Sequence, residues 1–153
     1  MNKVLYVFLC SMLPIIELRG SIIMGAGLGL TWWQNYIVSV AGNLIPIPFI
    51  LLFIRYILSW MKNIKWLSGI AFWLEAKAEK HSDKVMRYAT FGLFLFVAIP
   101  IPGTGAWTGA LIASLFNMRM KYSLISITAG VLVAGAIMVL ASYGAVSFLN
   151  FLL

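Results

Sequence analysis

Residues 88–118 form one long apolar run with its strongest helix breakers at the centre: "AIPIPGTGAWTG" at 98–109 holds two prolines and three glycines. The run is too oily for an ordinary loop and too broken for one straight helix. A second interruption divides the apolar run 4–33, at Pro14, Glu17, Arg19 and Gly20. The remaining apolar segments are 36–61 and 122–153; 36–61 and 122–149 are each long enough to cross about 30 Å of hydrocarbon as a helix. The chain is 63% hydrophobic and 10% charged, against roughly 25% charged in a soluble domain. A core of this size cannot hide that much apolar surface from water, so the solvent that fits is a bilayer.

Each broken segment has arms of about 12 residues, which rise about 18 Å as helix. That is too short to cross, yet long enough to reach past the midplane. Two such arms joined by a Pro/Gly tip make a re-entrant hairpin, whose irregular backbone must be buried in protein or line a wet cavity. A single kinked spanning helix is the alternative. Charge favours the hairpin: Lys62, Lys65, Lys77, Lys80, Lys84 and Arg87 precede the second broken segment, and Arg119 and Lys121 follow it. If that segment enters and leaves on one side, all of them are cytoplasmic, as the positive-inside rule prefers, and both termini lie outside.

The expected fold is therefore an all-α integral membrane protein: two re-entrant hairpins and two spanning helices in an inverted-repeat arrangement. It forms one membrane domain over 1–153, with halves 1–61 and 88–153 around a charged cytoplasmic linker at 62–87. In the linker, Trp66, Ile70, Trp73 and Leu74 share a helical face, which predicts an amphipathic helix in the interface. His81 falls in the charged run that follows and reads as an exposed residue. Trp32, Trp33 and Tyr36, and Tyr56 with Trp60, read as aromatic belts. Gly25/Gly29, Gly105/Gly109 and Gly130/Ala134 have the spacing of small-residue packing faces. Pro46 and Pro48 predict a bend, with Asn43 bonding the freed carbonyls. No cleaved signal peptide is expected.

Several functions are argued against. The net charge of +7 reads as topology and headgroup contact, not nucleic-acid binding. Cys10 is the single cysteine and His81 the single histidine, so an enzyme built on a nucleophile–histidine pair is not expected, and neither is a metal or a cofactor. Gly103-x-Gly105-x-x-x-Gly109 misses the dinucleotide spacing and follows no strand, and no Walker A motif is present.

Glu17 and Arg19 carry the strongest functional signal, because charges near the midplane are costly and usually mark a pathway or a partner. Glu17 would carry a coupling proton, and Arg19 would grip an anionic group bidentately. The structural alternative is a pair that neutralises itself or caps the tip. At the second break, a helix starting near Ala106 would aim free N–H groups at the midplane. Pro100, Pro102, Gly103 and Gly105 would shape that turn, with Thr104 and Thr108 supplying hydroxyls, to form a cradle for an anion or polar headgroup facing Glu17, Arg19 and Gly20. A packed turn is the alternative. Arg55 reads as snorkelling to the interface, with a binding role, like one for Trp107, as an addition.

At "LPIIELRGSIIMG" together with "AIPIPGTGAWTGALIAS", the chain resembles the small multidrug export protein family of bacteria and archaea over nearly its whole length. Members often carry a proline shortly after the position of Gly20, where Ser21 and Ile22 stand here. More distantly the layout is similar to the DedA superfamily. That resemblance implies two re-entrant hairpins with charged tips and transport of polyprenyl phosphates or other phospholipid carriers. DedA-type tips usually carry an acidic residue and an arginine in both halves, whereas only the first is charged here. The small multidrug resistance family, with four plain spanning helices, fits the Pro/Gly pattern poorly.

The expectation is thus a multi-pass transporter of the prokaryotic cytoplasmic (inner) membrane, ion- or proton-coupled, moving an amphipathic anionic lipid-like substrate such as a polyprenyl phosphate. A small multidrug exporter and a non-transporting scaffold or assembly factor stand as alternatives. The expected partners are the bilayer and the substrate, with a homodimer left open.

Overall fold

The computed structural model describes residues 2–62 and 83–152, all helical apart from short connections. The interfacial helix expected around Trp66–Leu74, and His81, lie outside the described residues. In chain order the helices are α1 (Lys3–Met12), α2 (Glu17–Gly27), α3 (Trp32–Leu44), α4 (Pro46–Lys62), α5 (Asp83–Ala98), α6 (Ala106–Leu115) and α7 (Met120–Leu152).

Both expected breaks are present, and proline chemistry sets their edges. A residue before proline is pushed out of the helical region. Accordingly α1 stops at Leu13, extended at ψ 137° ahead of Pro14, and α5 stops at Ala98, just before Ile99-Pro100. Pro46 and Pro48 cannot donate to Gly42 and Leu44, which interrupts the ladder. Ile45 nonetheless keeps helical angles, so α4 continues α3. Residues 32–57 form one apolar helix long enough to cross a membrane, and Met120–Phe148 forms another.

The two halves repeat one plan: helix, break, short helix, tight corner, long helix. The corners match in detail. At the end of α2, Gly29 has φ +76°, Gly29 N donates to Ala26 O and Leu30 N to Gly25 O. At the end of α6, Asn117 has φ +48°, Asn117 N donates to Ser114 O and Met118 N to Ala113 O. Each is a Schellman cap, with the residue beyond the left-handed position, Leu30 or Met118, buried against the core. Gly29 is therefore a cap and not part of a packing face.

In the first half α1 and α2 fold back on one another. Lys3 Nζ donates to Leu28 O at 2.8 Å, joining the free ends of the two arms. In the second half the first turn of α6 meets the last turns of α5: a Cβ on Gly109 would press Val97 Cγ2 at 2.7 Å. Packing is reciprocal. α1 lies on α3 as α5 lies on α7, while α2 packs on α7 and α6 on α4. Each short second helix thus leans on the other half's long helix. The breaks, which local sequence only interrupts, are brought together by this exchange.

The exterior is apolar, and several polar side chains are buried within a mainly apolar core. Phe49, Phe53, Leu140 and Phe148 are exposed, while Ser11, Ser21, Asn35, Ser39 and Asn43 are buried. In water that distribution is backwards; against hydrocarbon it is required. Four of the five belt aromatics, Trp32, Trp33, Tyr56 and Trp60, are exposed; Tyr36 instead reaches inward, its hydroxyl donating to Leu132 O at 3.1 Å. Among the buried polar groups, Asn35 ties α3 to α2 and α7. Asn35 Nδ2 donates to Ile22 O at 2.7 Å and to Tyr143 Oη at 3.2 Å, and accepts from Ser39 Oγ. Gly25 lies against Asn35 because a Cβ there would collide with its amide. Eight residues along each helix, Glu17 and Asn43 share a small chamber. On α3 the buried polar residues Asn35, Ser39 and Asn43 thus recur about every turn along one face. Asn43 does not bond the carbonyls freed by the prolines.

Candidate functional site

The two breaks meet at Glu17. Its backbone is left-handed, φ +49°, an unusual conformation for a side-chain-bearing residue that turns the chain from the Pro14–Ile16 corner into α2. The residue is 7% exposed, and its carboxylate lies at the N-terminus of α6. That helix begins after Gly105, which has no side chain to cap it. Glu17 supplies the cap from the other half: Trp107 N donates to Glu17 Oε1 at 3.2 Å. A carboxylate at this position satisfies a first-turn N–H and faces the positive end of the helix dipole. Gly105 permits the approach, since any Cβ there would fall on the Glu17 carboxylate.

Arg19 fastens the other side. Nη1 lies 3.3 Å from Glu17 Oε2, and Nη2 donates to Thr104 Oγ1 at 2.9 Å and to Ile99 O at 3.0 Å. One guanidinium therefore spans the carboxylate of the first break and two oxygens of the second. Thr104 Oγ1 also lies 2.8 Å from Ile99 O and 2.9 Å from Ile101 O, so one hydroxyl sits against two carbonyls of the loop. The Trp107 indole adds a strap, Nε1 donating to Met12 O at 3.2 Å.

A cleft of about 500 Å³ opens over this cluster. Glu17, Arg19, Gly20, Pro102, Gly103 and Thr108 contribute polar and backbone surface, and Ile15, Ile23 and Met24 supply an apolar wall. Its mouth is greasy: Ile15 is 94% exposed. The geometry suits a molecule with one compact polar end and an apolar body.

Of the residues singled out from sequence, Glu17, Arg19, Thr104, Gly105 and Trp107 form one bonded cluster, and Gly20, Pro102, Gly103 and Thr108 line the cleft. Pro100 shapes the loop beside the cleft without lining it. Arg55 stands apart, its Nη2 donating to Met118 O and tying α4 to the α6–α7 corner. Sequence reasoning missed the Ile99 carbonyl, Asn43 and the Ile23–Met24 wall. The first had a signal, since a carbonyl at a helix end just before a proline has no intrahelical donor. It also left the α6 N-terminus open to an incoming anion, whereas the anion found there is the protein's own Glu17.

The family model described as "Putative small multi-drug export protein" matches residues 17–137, from Glu17 into α7, well over half of the chain. No curated protein and no solved structure matches.

Proposed function

We propose that this chain, which belongs to the small multi-drug export protein family, is a multi-pass transporter of the cytoplasmic membrane whose carrier site is the Glu17–Arg19 cluster and the cleft above it. The observation that carries the reading is a buried ion pair bridging two helix breaks at the floor of a 500 Å³ cleft with apolar walls. Charges in such a place are expensive for packing alone.

The mechanism follows from competition. Glu17 and an anionic headgroup want the same donors, the Arg19 guanidinium and the α6 first-turn N–H. Protonated Glu17 surrenders both, and the headgroup replaces the carboxylate with the site's charge unchanged. Loading an anion is thereby linked to loading a proton. The substrate is an amphipathic anion of the lipid-phosphate type, its tail along the Ile15–Ile23 wall. The chain needs no enzymatic step for this, and its partners are the bilayer and the substrate.

Proteoliposomes test it. A short-chain fluorescent polyprenyl phosphate should cross faster when a pH gradient is imposed, and Glu17→Gln should reduce that flux about 100-fold while the protein stays folded. The family's description favours a second reading, export of cationic drugs; ethidium flux with no lipid-phosphate flux would select it. Flux of neither probe would leave a scaffold.

The repeated plan and reciprocal packing support re-entrant hairpins in inverted orientation. Under that topology the α2–α3 and α6–α7 corners face opposite sides of the membrane. In a Cys10→Ala background, single cysteines at Gly27 and Phe116, both exposed, should label from opposite faces. Two kinked spanning segments would put both on one face, and that outcome would remove the hairpins.

A further inference from the structure

Glu17 and Arg19 also border a second, much smaller space of about 10 Å³. Glu17, Arg19 and Asn43 line it together with Gly105, Ala106 and Val131. Two of these residues carry buried polar atoms without a protein partner: Arg19 Nε and Asn43 Oδ1. Asn43 is 1% exposed, so bulk solvent does not satisfy it. The two orphans are complementary, since Arg Nε only donates and an amide oxygen only accepts.

We propose that this chamber binds one water molecule, which accepts from Arg19 Nε and donates to Asn43 Oδ1 and to the Glu17 carboxylate. Asn43 is thereby a positioning residue of the Glu17–Arg19 pair. Volume, polarity and partner number agree. A buried water needs about 10–15 Å³ of such space and about three hydrogen bonds. A second water or any organic ligand does not fit. A metal cation would face the Nε–H of a guanidinium, a donor where it needs a ligand oxygen. The remaining walls, Val97, Val131 and Ala134, offer no rival partner.

The location gives the water a purpose. Asn43 sits two residues before Ile45, where α3 passes into α4. The bridge therefore joins the ion pair of the carrier site to the one interrupted point of the first long helix. A change in the pair is felt at that joint, and a movement of the joint is felt by Arg19. This role rests on the transport reading given above; the water site itself does not.

The test uses the full chain in lipid nanodiscs. A high-resolution map of the wild type should contain a solvent peak within hydrogen-bonding distance of both Arg19 Nε and Asn43 Oδ1. Asn43→Leu, which keeps the branched outline of asparagine but is larger and carries no polar atom, should dry the chamber and abolish the peak. Asn43→Ser leaves room for a further water and should keep it. Asn43→Leu should then unfold at least about 3 °C below Asn43→Ser. Because leucine also overpacks the site, the stability order counts for the proposal only together with a wild-type peak that Asn43→Leu removes and Asn43→Ser keeps. No peak in the wild type, leucine as stable as serine or more so, or stabilisation by sodium but not by choline each overturns the proposal. Glu17→Gln with undiminished lipid-phosphate flux would instead defeat the transport reading, whatever the map contains.

Discussion

Gly105→Ala is expected to cost more function and stability than any other single-methyl addition at the two breaks. The added Cβ would occupy the position of the Glu17 carboxylate, which must then leave the N–H of Trp107 and drag Arg19 with it. Overpacking alone costs about 1–3 kcal/mol. Losing the cap costs about 1 kcal/mol more. Gly103→Ala is the control. Gly103 has φ +86° but open space around its missing side chain, so alanine meets only the left-handed penalty of about 1–2 kcal/mol. Thermal unfolding in detergent should rank wild type, Gly103→Ala and Gly105→Ala in descending order, and lipid-phosphate flux should vanish only for the last. If Gly103→Ala is the more damaging, the close approach of Glu17 to α6 is not what holds the breaks together.

Arg19→Ala should be comparably severe, for an electrostatic reason. The side chains of Arg19 and Glu17 are 14% and 9% exposed. Removing one partner of a buried pair leaves the other charge unpaired, at about 3–5 kcal/mol. Ile99 O and Thr104 Oγ1 also lose their shared donor. Arg19→Lys should recover little, because a point charge on a flexible stem cannot reach a carboxylate and two loop oxygens at once. The double variant Glu17→Gln/Arg19→Ala should be less destabilised than the sum of its parts, since no lone charge remains. A cycle of chemical unfolding measurements on the four proteins decides this. Additive losses within about 0.5 kcal/mol would mean that the two residues do not act as a pair.

Much of the fold was legible before any coordinates. Proline removes a hydrogen bond and disfavours helical angles in the residue before it, so the ends of α1 and α5 follow from Pro14 and Pro100, although Ile45 stays helical ahead of Pro46. Length and hydropathy alone predict the long helices. The corner at Asn117 was harder to see, because the same residue is common in many turns and only its match to Gly29, read from the two caps side by side, identifies it. Glu17 and Arg19 stood out by charge in an apolar run. Gly105 was noticed for its backbone freedom, yet its φ is ordinary at −81°; what it provides is room for a carboxylate from another segment.

The sequence by itself determined where this chain is helical, where it must break, and that its surface belongs against hydrocarbon. These depend on each residue and its near neighbours, so they survive without knowledge of the fold. Only the tertiary structure decided that the two breaks face each other, that Glu17 caps a helix 90 residues away, and that Arg19 spans both loops. Those facts depend on α2 packing against α7 and α6 against α4. Such pairings are set by shape and by which polar groups must be buried together, neither of which has a signature along a single strand of sequence.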